Sequence, residues 1–253
     1  IGTSAGAARE VRPETVDSYE IGMKSQFFDR RLTMNLAVFY QDFTDMQTTT
    51  IVFRPDGNFD VVLDNAKGVE SKGAELDASV RITDDLTLTG RYSYNPVEFK
   101  EFLTSCYRGQ PVNPAPGPGC YRPGPGTGTV NDVTGLPSVN APKNSFNVGF
   151  SYSPQITAGL RGFANFNYTH RSEAWSVAGD PNTILPAYGL LSGNIGVGTL
   201  DGKIRYSIYG RNILDKEFPI RIRSLSFSGA GSYRTTFSRE SERTIGVRMD
   251  YSF

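Results

Sequence analysis

The last twelve residues, Glu242 to Phe253, read E-R-T-I-G-V-R-M-D-Y-S-F. Ile245, Val247, Met249, Tyr251 and Phe253 fall on one parity; Thr244, Gly246, Arg248, Asp250 and Ser252 fall on the other. Successive side chains of a strand point to opposite faces, so this strand is apolar on one side and polar on the other. In water, a terminal strand with such a face invites aggregation at both edge and patch. In a bilayer the same strand meets lipid on one side and an aqueous lumen on the other, and barrel closure removes the edge. The pattern predicts an all-β fold, a transmembrane antiparallel β-barrel of the outer membrane of a Gram-negative bacterium.

The alternation recurs. Leu32, Met34, Leu36, Val38 and Tyr40 oppose Thr33, Asn35 and Gln41; Ala74, Leu76, Ala78 and Val80 oppose Glu75, Asp77, Ser79 and Arg81; Ile204, Tyr206 and Ile208 oppose Lys203, Arg205 and Ser207. An Arg or Lys on the lipid face near the midplane would cost about 2–4 kcal/mol, and the charges in these runs keep to the polar parity. Alternation also explains why only 38% of the residues are hydrophobic, with no apolar run long enough for a membrane helix. The 26 basic and 26 acidic residues balance, so net charge gives no reason to expect nucleic acid.

About nine long strands are predicted, at 15–28, 31–53, 59–82, 85–100, 143–153, 158–176, 186–199, 203–215 and 240–253. The connections between them alternate in length. Asp29-Arg30, Thr83-Asp84-Asp85, Ser153-Pro154-Gln155 and Leu200-Asp201-Gly202 are short. Arg54 to Asn58, the stretch 100–142, the loop near 178–186 and the stretch 215–240 lie between them. Outer-membrane barrels have short periplasmic turns and longer extracellular loops, and a periplasmic carboxyl terminus puts every short turn on the periplasmic side. Single-chain bacterial barrels have even strand numbers. An odd count in a chain opening at Ile1, with no initiator Met or signal peptide, leads to the expectation of a fragment. Residues 1–12 are then expected to belong to a preceding extracellular loop.

Cys106 and Cys120 are the only cysteines and lie in a Pro/Gly-rich segment. Their spacing reads as a disulfide in an oxidising compartment, the alternative being two unrelated thiols. The segment from Tyr107 to Pro142 cannot form ladder structure throughout, because Pro lacks the donor. It reads either as a stapled, ligand-contacting loop or as an exposed and partly disordered one.

Several stretches, in order, resemble the carboxyl-terminal barrel of TonB-dependent outer-membrane receptors. They are Pro13 to Lys24 (P-E-T-V-D-S-Y-E-I-G-M-K), Leu36 to Gln47 (L-A-V-F-Y-Q-D-F-T-D-M-Q), Asn65-Ala66 with Gly68 to Leu76, and Gly210 to Lys216 (G-R-N-I-L-D-K). The closing Tyr251-Ser252-Phe253 is similar to the family's aromatic terminus. The resemblance implies that residues 1–253 are about nine carboxyl-terminal strands of a 22-stranded barrel whose lumen holds an amino-terminal plug. No plug is recognisable in this chain. The resemblance also implies active uptake of a scarce ligand (ferric siderophore, cobalamin, haem or glycan) through the TonB-ExbB-ExbD complex, engaged by the plug. It implies outer-membrane lipid and lipopolysaccharide as surroundings. Finally, it implies a terminal signal at Phe253 read by the barrel assembly machinery.

No catalytic constellation is expected, nor a cofactor or metal set. His170 is the only histidine; it reads as a haem or metal ligand, or as a lone rim residue. Arg221, Arg223, Arg234, Arg239 and Arg243 crowd the last long loop. Arg forks suit carboxylates and phosphates, so these residues read as contacts to an anionic ligand or to lipopolysaccharide, or else as solvated charge offset by Glu240 and Glu242. Tyr107, Tyr121, Trp175 and Tyr188 could stack on a ligand, while Trp175 and Tyr188 also suit the interfacial girdle. Two other functions compete with the receptor: a passive porin-like channel and a small barrel enzyme using His170 with a Ser.

Overall fold

The computed structural model describes residues 11–53, 59–125, 127–225, 229 and 231–253. The expected connection at Arg54 to Asn58, and most of the stretch 1–12, lie outside these. In chain order the strands are β1 (Thr15–Phe27), β2 (Leu32–Phe53), β3 (Phe59–Arg81), β4 (Leu86–Tyr94), β5 (Val97–Glu101), β6 (Leu103–Thr104), β7 (Gly119–Tyr121) and β8 (Val130–Asp132). They continue as β9 (Asn144–Tyr152), β10 (Leu160–Arg171), β11 (Ala174–Trp175), β12 (Ile184–Leu185), β13 (Tyr188–Thr199), β14 (Ile204–Arg211), β15 (Pro219–Ser224), β16 (Tyr233–Phe237) and β17 (Thr244–Tyr251).

One antiparallel sheet carries the wall, in the order β1-β2-β3-β4-β9-β10-β13-β14-β17, with β5 also on β3. Among the described residues β1 and β17 are its two edges. All nine predicted strands are found on this path. The register keeps the parities aligned. Tyr206 faces Met249 and Ile208 faces Val247 on the apolar side. Arg205 faces Asp250 on the polar side, and Asp77 accepts from Arg91 Nε at 2.6 Å. Asn147 donates to Asn167 at 2.7 Å and Asn165 to Asn194 at 3.0 Å, a neutral amide ladder on that same polar face. The apolar side is outward and bare: Ile21 is 77% and Val247 82% exposed.

Glycines opposite aromatics fix the register further. Phe39 pairs with Gly73, Phe163 with Gly196 and Tyr209 with Gly246. A Cβ on Gly196 would come within 2.6 Å of Phe163 Cζ. Each ring therefore lies across the glycine facing it, and a register slip would strand that ring.

Asp17, Asp42, Glu70 and Glu98 form one outward cross-strand row. Asp17 lies ten residues before Phe27 at the other end of β1. At about 3.3 Å per residue and a tilt near 40°, that rise is about 25 Å, the height of an apolar lipid-facing band. The carboxylate row thus marks the outer rim of the band. Lys100 Nζ donates to Asp42 at 2.8 Å and Lys72 Nζ to Glu70 at 3.2 Å, offsetting part of the like charge.

Several ends differ from expectation. The strand predicted at 85–100 breaks at Asn95-Pro96 into β4 and β5, because Pro96 has no amide to donate. The one predicted at 158–176 leaves the wall after Arg171. The one predicted at 203–215 stops at Arg211, since Asn212 and Asp215 turn the chain with φ of 45° and 55°. The last begins at Thr244, after a 3-10 turn at Arg239–Ser241. The long loops are also structured: β6-β8-β7, β11-β12 and β15-β16 are small sheets of their own.

Candidate functional site

The loop between β5 and β9 folds over the polar, lumenal side of the wall. Val69 and Phe99 face each other across β3 and β5 on the lumenal parity, and both are buried. Val133 closes on them with no exposed surface, flanked by Phe43, Met46, Val97, Phe102 and Leu136. Burial of each such side chain is worth about 1.5–3 kcal/mol, enough to hold a loop that lacks a long ladder. Cys106 and Cys120 form the disulfide, with Cys120 buried beside β8. Next to it, Gln110 Nε2 donates to the buried Asn131 Oδ1 at 2.9 Å, and Tyr107 N donates to Gln110 Oε1 at 3.0 Å.

The loop between β10 and β13 stacks against the first. Trp175 pairs with Ile184 and bridges to Val139, and Asn140 N donates to Trp175 O at 2.7 Å. The sequence Gly179-Asp180-Pro181-Asn182 then makes a capped 3-10 turn with Pro at its start. Asp180, 1% exposed, accepts from Asn182 N and Asn182 Nδ2, both at 3.0 Å. Gly179 has φ of +71°, and a Cβ there would lie 2.6 Å from Val133 Cγ1. Glycine is required at this position both for the backbone and for the contact.

The loop between β14 and β17 closes the cluster. Its root is Phe218, 2% exposed, stacked on Tyr188 at 3.9 Å. Tyr188 is paired with Arg171, whose guanidinium sits 5.6 Å from the Tyr188 ring. The β15-β16 ribbon stands on this root. Its Ile222 N donates to Ser176 Oγ at 3.0 Å, and Tyr233 OH donates to Asp180 Oδ2 at 3.1 Å. Burial, and then the bond to Asp180, raise the Tyr233 hydroxyl above its ordinary pKa. Arg221, Arg223 and Arg234 occupy the opposite ribbon face and are exposed.

The structure therefore gathers the sequence candidates unevenly. Tyr107 sits in the turn closed by Gln110, next to the disulfide, and Trp175 belongs to the layer of the second long loop. Tyr121 is half-buried in β7 beside the disulfide. The assignment of Tyr188 to an outward girdle is corrected: its register with Arg171 puts it on the lumenal parity, under Phe218. Trp175 likewise sits in a loop sheet rather than a wall strand. His170 shares the outward parity of Phe146 and stacks on it at 5.0 Å, away from the loop cluster. Among the described residues no group of three or more His, Cys, Asp or Glu is placed to hold a metal. Asp180, Thr183, Asn131 and Phe218, all buried, were not singled out from the sequence. The G-D-P-N signature is the one signal that could have revealed Asp180.

A family described as TonB dependent receptor-like, beta-barrel, matches residues 1–213. The ferric yersiniabactin uptake receptor FyuA from Yersinia pestis is similar over 100% of this chain and 32% of its own, with TM-score 0.72 and 15% identity. The siderophore receptor PiuA from Acinetobacter baumannii is similar over 94% of this chain and 28% of its own, with TM-score 0.64 and 17% identity. The copper transporter OprC is similar over 100% of this chain and 33% of its own, with TM-score 0.63 and 14% identity. At these identities the likeness carries the fold, and the chain spans about a third of each of these structures. With the alternating wall, the loop architecture and the family match in agreement, the chain belongs to the TonB-dependent receptor-like β-barrels of the Gram-negative outer membrane.

Proposed function

We propose that this chain supplies wall and extracellular loops to a receptor that takes up a scarce ligand, a ferric siderophore foremost, with energy delivered through TonB. The family is one of transport receptors rather than enzymes. The observation that most supports uptake over passive diffusion is the loop cluster. Its core of Val69, Phe99 and Val133 sits on the lumenal side of the wall, so the loops lean inward over that side. Such a cover suits selective capture of a ligand and not free permeation.

In this reading the polar wall face meets a plug domain contributed by the rest of the receptor, and the plug engages TonB with ExbB and ExbD. A hollow of about 700 Å³ on that face, bordered by Glu20, Lys24, Glu75, Asp77 and Arg91, is a natural seat for it. Phe253, fully exposed and 6.0 Å from the Tyr251 ring, is offered to the barrel assembly machinery. The deciding experiment is accumulation of radiolabelled iron, supplied as ferric yersiniabactin or a ferric catecholate, in cells expressing the full receptor. Uptake that disappears when TonB is deleted supports the proposal. Uptake that persists without TonB would replace it with a passive channel.

A further inference from the structure

The β15-β16 ribbon has two unlike faces. Ser224, Tyr233, Ile222 and Thr235 share one, and that face is held to Asp180 and Ser176. Arg221, Arg223, Arg234 and Thr236 share the other. Arg223 and Arg234 are direct register partners, and Arg221 lies two residues along the same face. Directly opposed side chains in an antiparallel pair sit about 5 Å apart at Cβ, and like charges in that position destabilise the pair. An acidic neighbour would ordinarily relieve this. Among the described residues no ion pair reaches any of the three arginines; Arg243 is the one that pairs in this loop, with Asp215 at 3.4 Å. Glu240 and Glu242, the expected offsets, instead border a hollow with Arg211 and Arg239. Among the described residues the three arginines are thus exposed, solvated charge without a carboxylate beside them.

We infer that the arginine face of the β15-β16 ribbon, Arg221, Arg223 and Arg234, is a binding site for a ligand carrying two or more carboxylate or phosphate groups. The inference rests on the receptor reading for its biological meaning, and on the ribbon alone for its chemistry. Each guanidinium offers a planar fork that takes an oxyanion through two parallel hydrogen bonds. The backbone that carries the three forks is anchored from behind through Ile222 and Tyr233, so the ordering left for binding is that of the side chains. A ligand with several oxyanions removes the Arg223–Arg234 repulsion, and a monoanion relieves only part of it. Thr236, opposite Arg221, adds a hydroxyl on the same face.

The source of the oxyanions is a soluble chelate and not a lipid headgroup. The ribbon is rooted on Phe218 and Tyr188, on the lumenal parity, and its back face leans on a layer that itself sits on Val69 and Phe99. Lipid lies on the other side of that wall.

The test uses the full-length receptor purified in detergent, with citrate as the probe and calorimetry as the readout. Wild-type receptor is expected to bind citrate, and the double variant Arg223→Gln/Arg234→Gln to bind it at least about tenfold more weakly. Arg223→Lys/Arg234→Lys, which keeps the charge but loses the fork, is expected to fall between them. Unchanged hydrogen exchange at the Ile222 amide shows that the ribbon remains folded in both. Equal citrate binding by all three proteins, or none by any, overturns the inference. So does a double variant that loses co-purifying lipopolysaccharide while binding citrate normally, because the arginines would then serve lipid phosphates. TonB dependence of iron uptake is measured in parallel. If it holds while the citrate effect is missing, the receptor reading survives and the anion site does not. If it fails while the citrate effect is present, the reverse is true.

Discussion

The Tyr233 hydroxyl donates to both carboxylate oxygens of Asp180, at 3.1 and 3.3 Å, across 53 residues of sequence. This bond ties the last long loop to the one before it, which in turn packs on Val133 of the first. The three long loops thus share one anchor chain, and their coupling can be tested.

Tyr233→Phe removes the donor and leaves a buried carboxylate with fewer partners. The expected cost is about 1–3 kcal/mol, felt locally as faster hydrogen exchange at Ile222 and along β15-β16. The wall strands should exchange as before. The tie also has an alkaline limit. The hydroxyl's raised pKa means the bond is fully present below the ordinary value of 10.0 and is lost as pH rises through the folded value. Tyrosinate absorbance should therefore show one late-titrating group, missing in Tyr233→Phe, and ribbon exchange should accelerate in step with it.

Gly179→Ala meets two obstacles, a φ of +71° and Val133 Cγ1 at 2.6 Å from the new Cβ. Left-handed backbone and overpacking together should cost about 2–4 kcal/mol. The expected result is protease sensitivity in both the first and second long loops, at an unchanged wall. Cleavage confined to residues near 179 would show that the loops are not coupled.

Cys106→Ser/Cys120→Ser opens a closure of 14 residues in sequence separation. Chain-entropy reasoning puts the loss near 3 kcal/mol. Proteolysis between Tyr107 and Gly119 should rise sharply. A melting profile of the whole barrel that shifted as much as the loop would contradict the local role given to the disulfide.

Val247→Arg places a charge on the outward face of β17, where Val247 is 82% exposed. In lipid this should cost about 2–4 kcal/mol. Thr33→Arg, on the inward parity between neutral Gln26 and Ser79, should be nearly neutral. Reversible folding of the full receptor into vesicles measures both. Equal costs would mean that the assigned faces are wrong.

Asp201, in the short turn before β14, accepts first from the Thr199 hydroxyl and then from Lys203 N. Those bonds hold its carboxyl below the ordinary 3.8. A depressed acid contributes stability that is present above its ordinary value and lost as pH falls through the folded value. The β13-β14 hairpin should therefore fray only in strong acid, and Asp201→Ala should abolish that acid step in amide exchange at Ile204.

Most of the wall was legible because a bilayer imposes one rule on every residue of a spanning strand. Leu36 and Val38 must face lipid and Asn35 must not, so period-two alternation survives in the residues themselves. Strand ends were less legible. Asn212 leaves the ladder through a left-handed φ that nothing in G-R-N-I-L-D-K demands. Tyr188 was placed on the wrong face, since its aromatic character suits a girdle as well as it suits a stack on Phe218.

The amino-acid sequence by itself determined the barrel class, the lipid-facing parity, the short turns and the family, because each depends on local pattern and a uniform solvent. Only the tertiary structure decided that the long loops fold over the lumenal side, that Asp180 meets Tyr233, and that Arg223 stands opposite Arg234. Those relations join residues tens of positions apart, where loop closure and burial set the geometry and no local period records it.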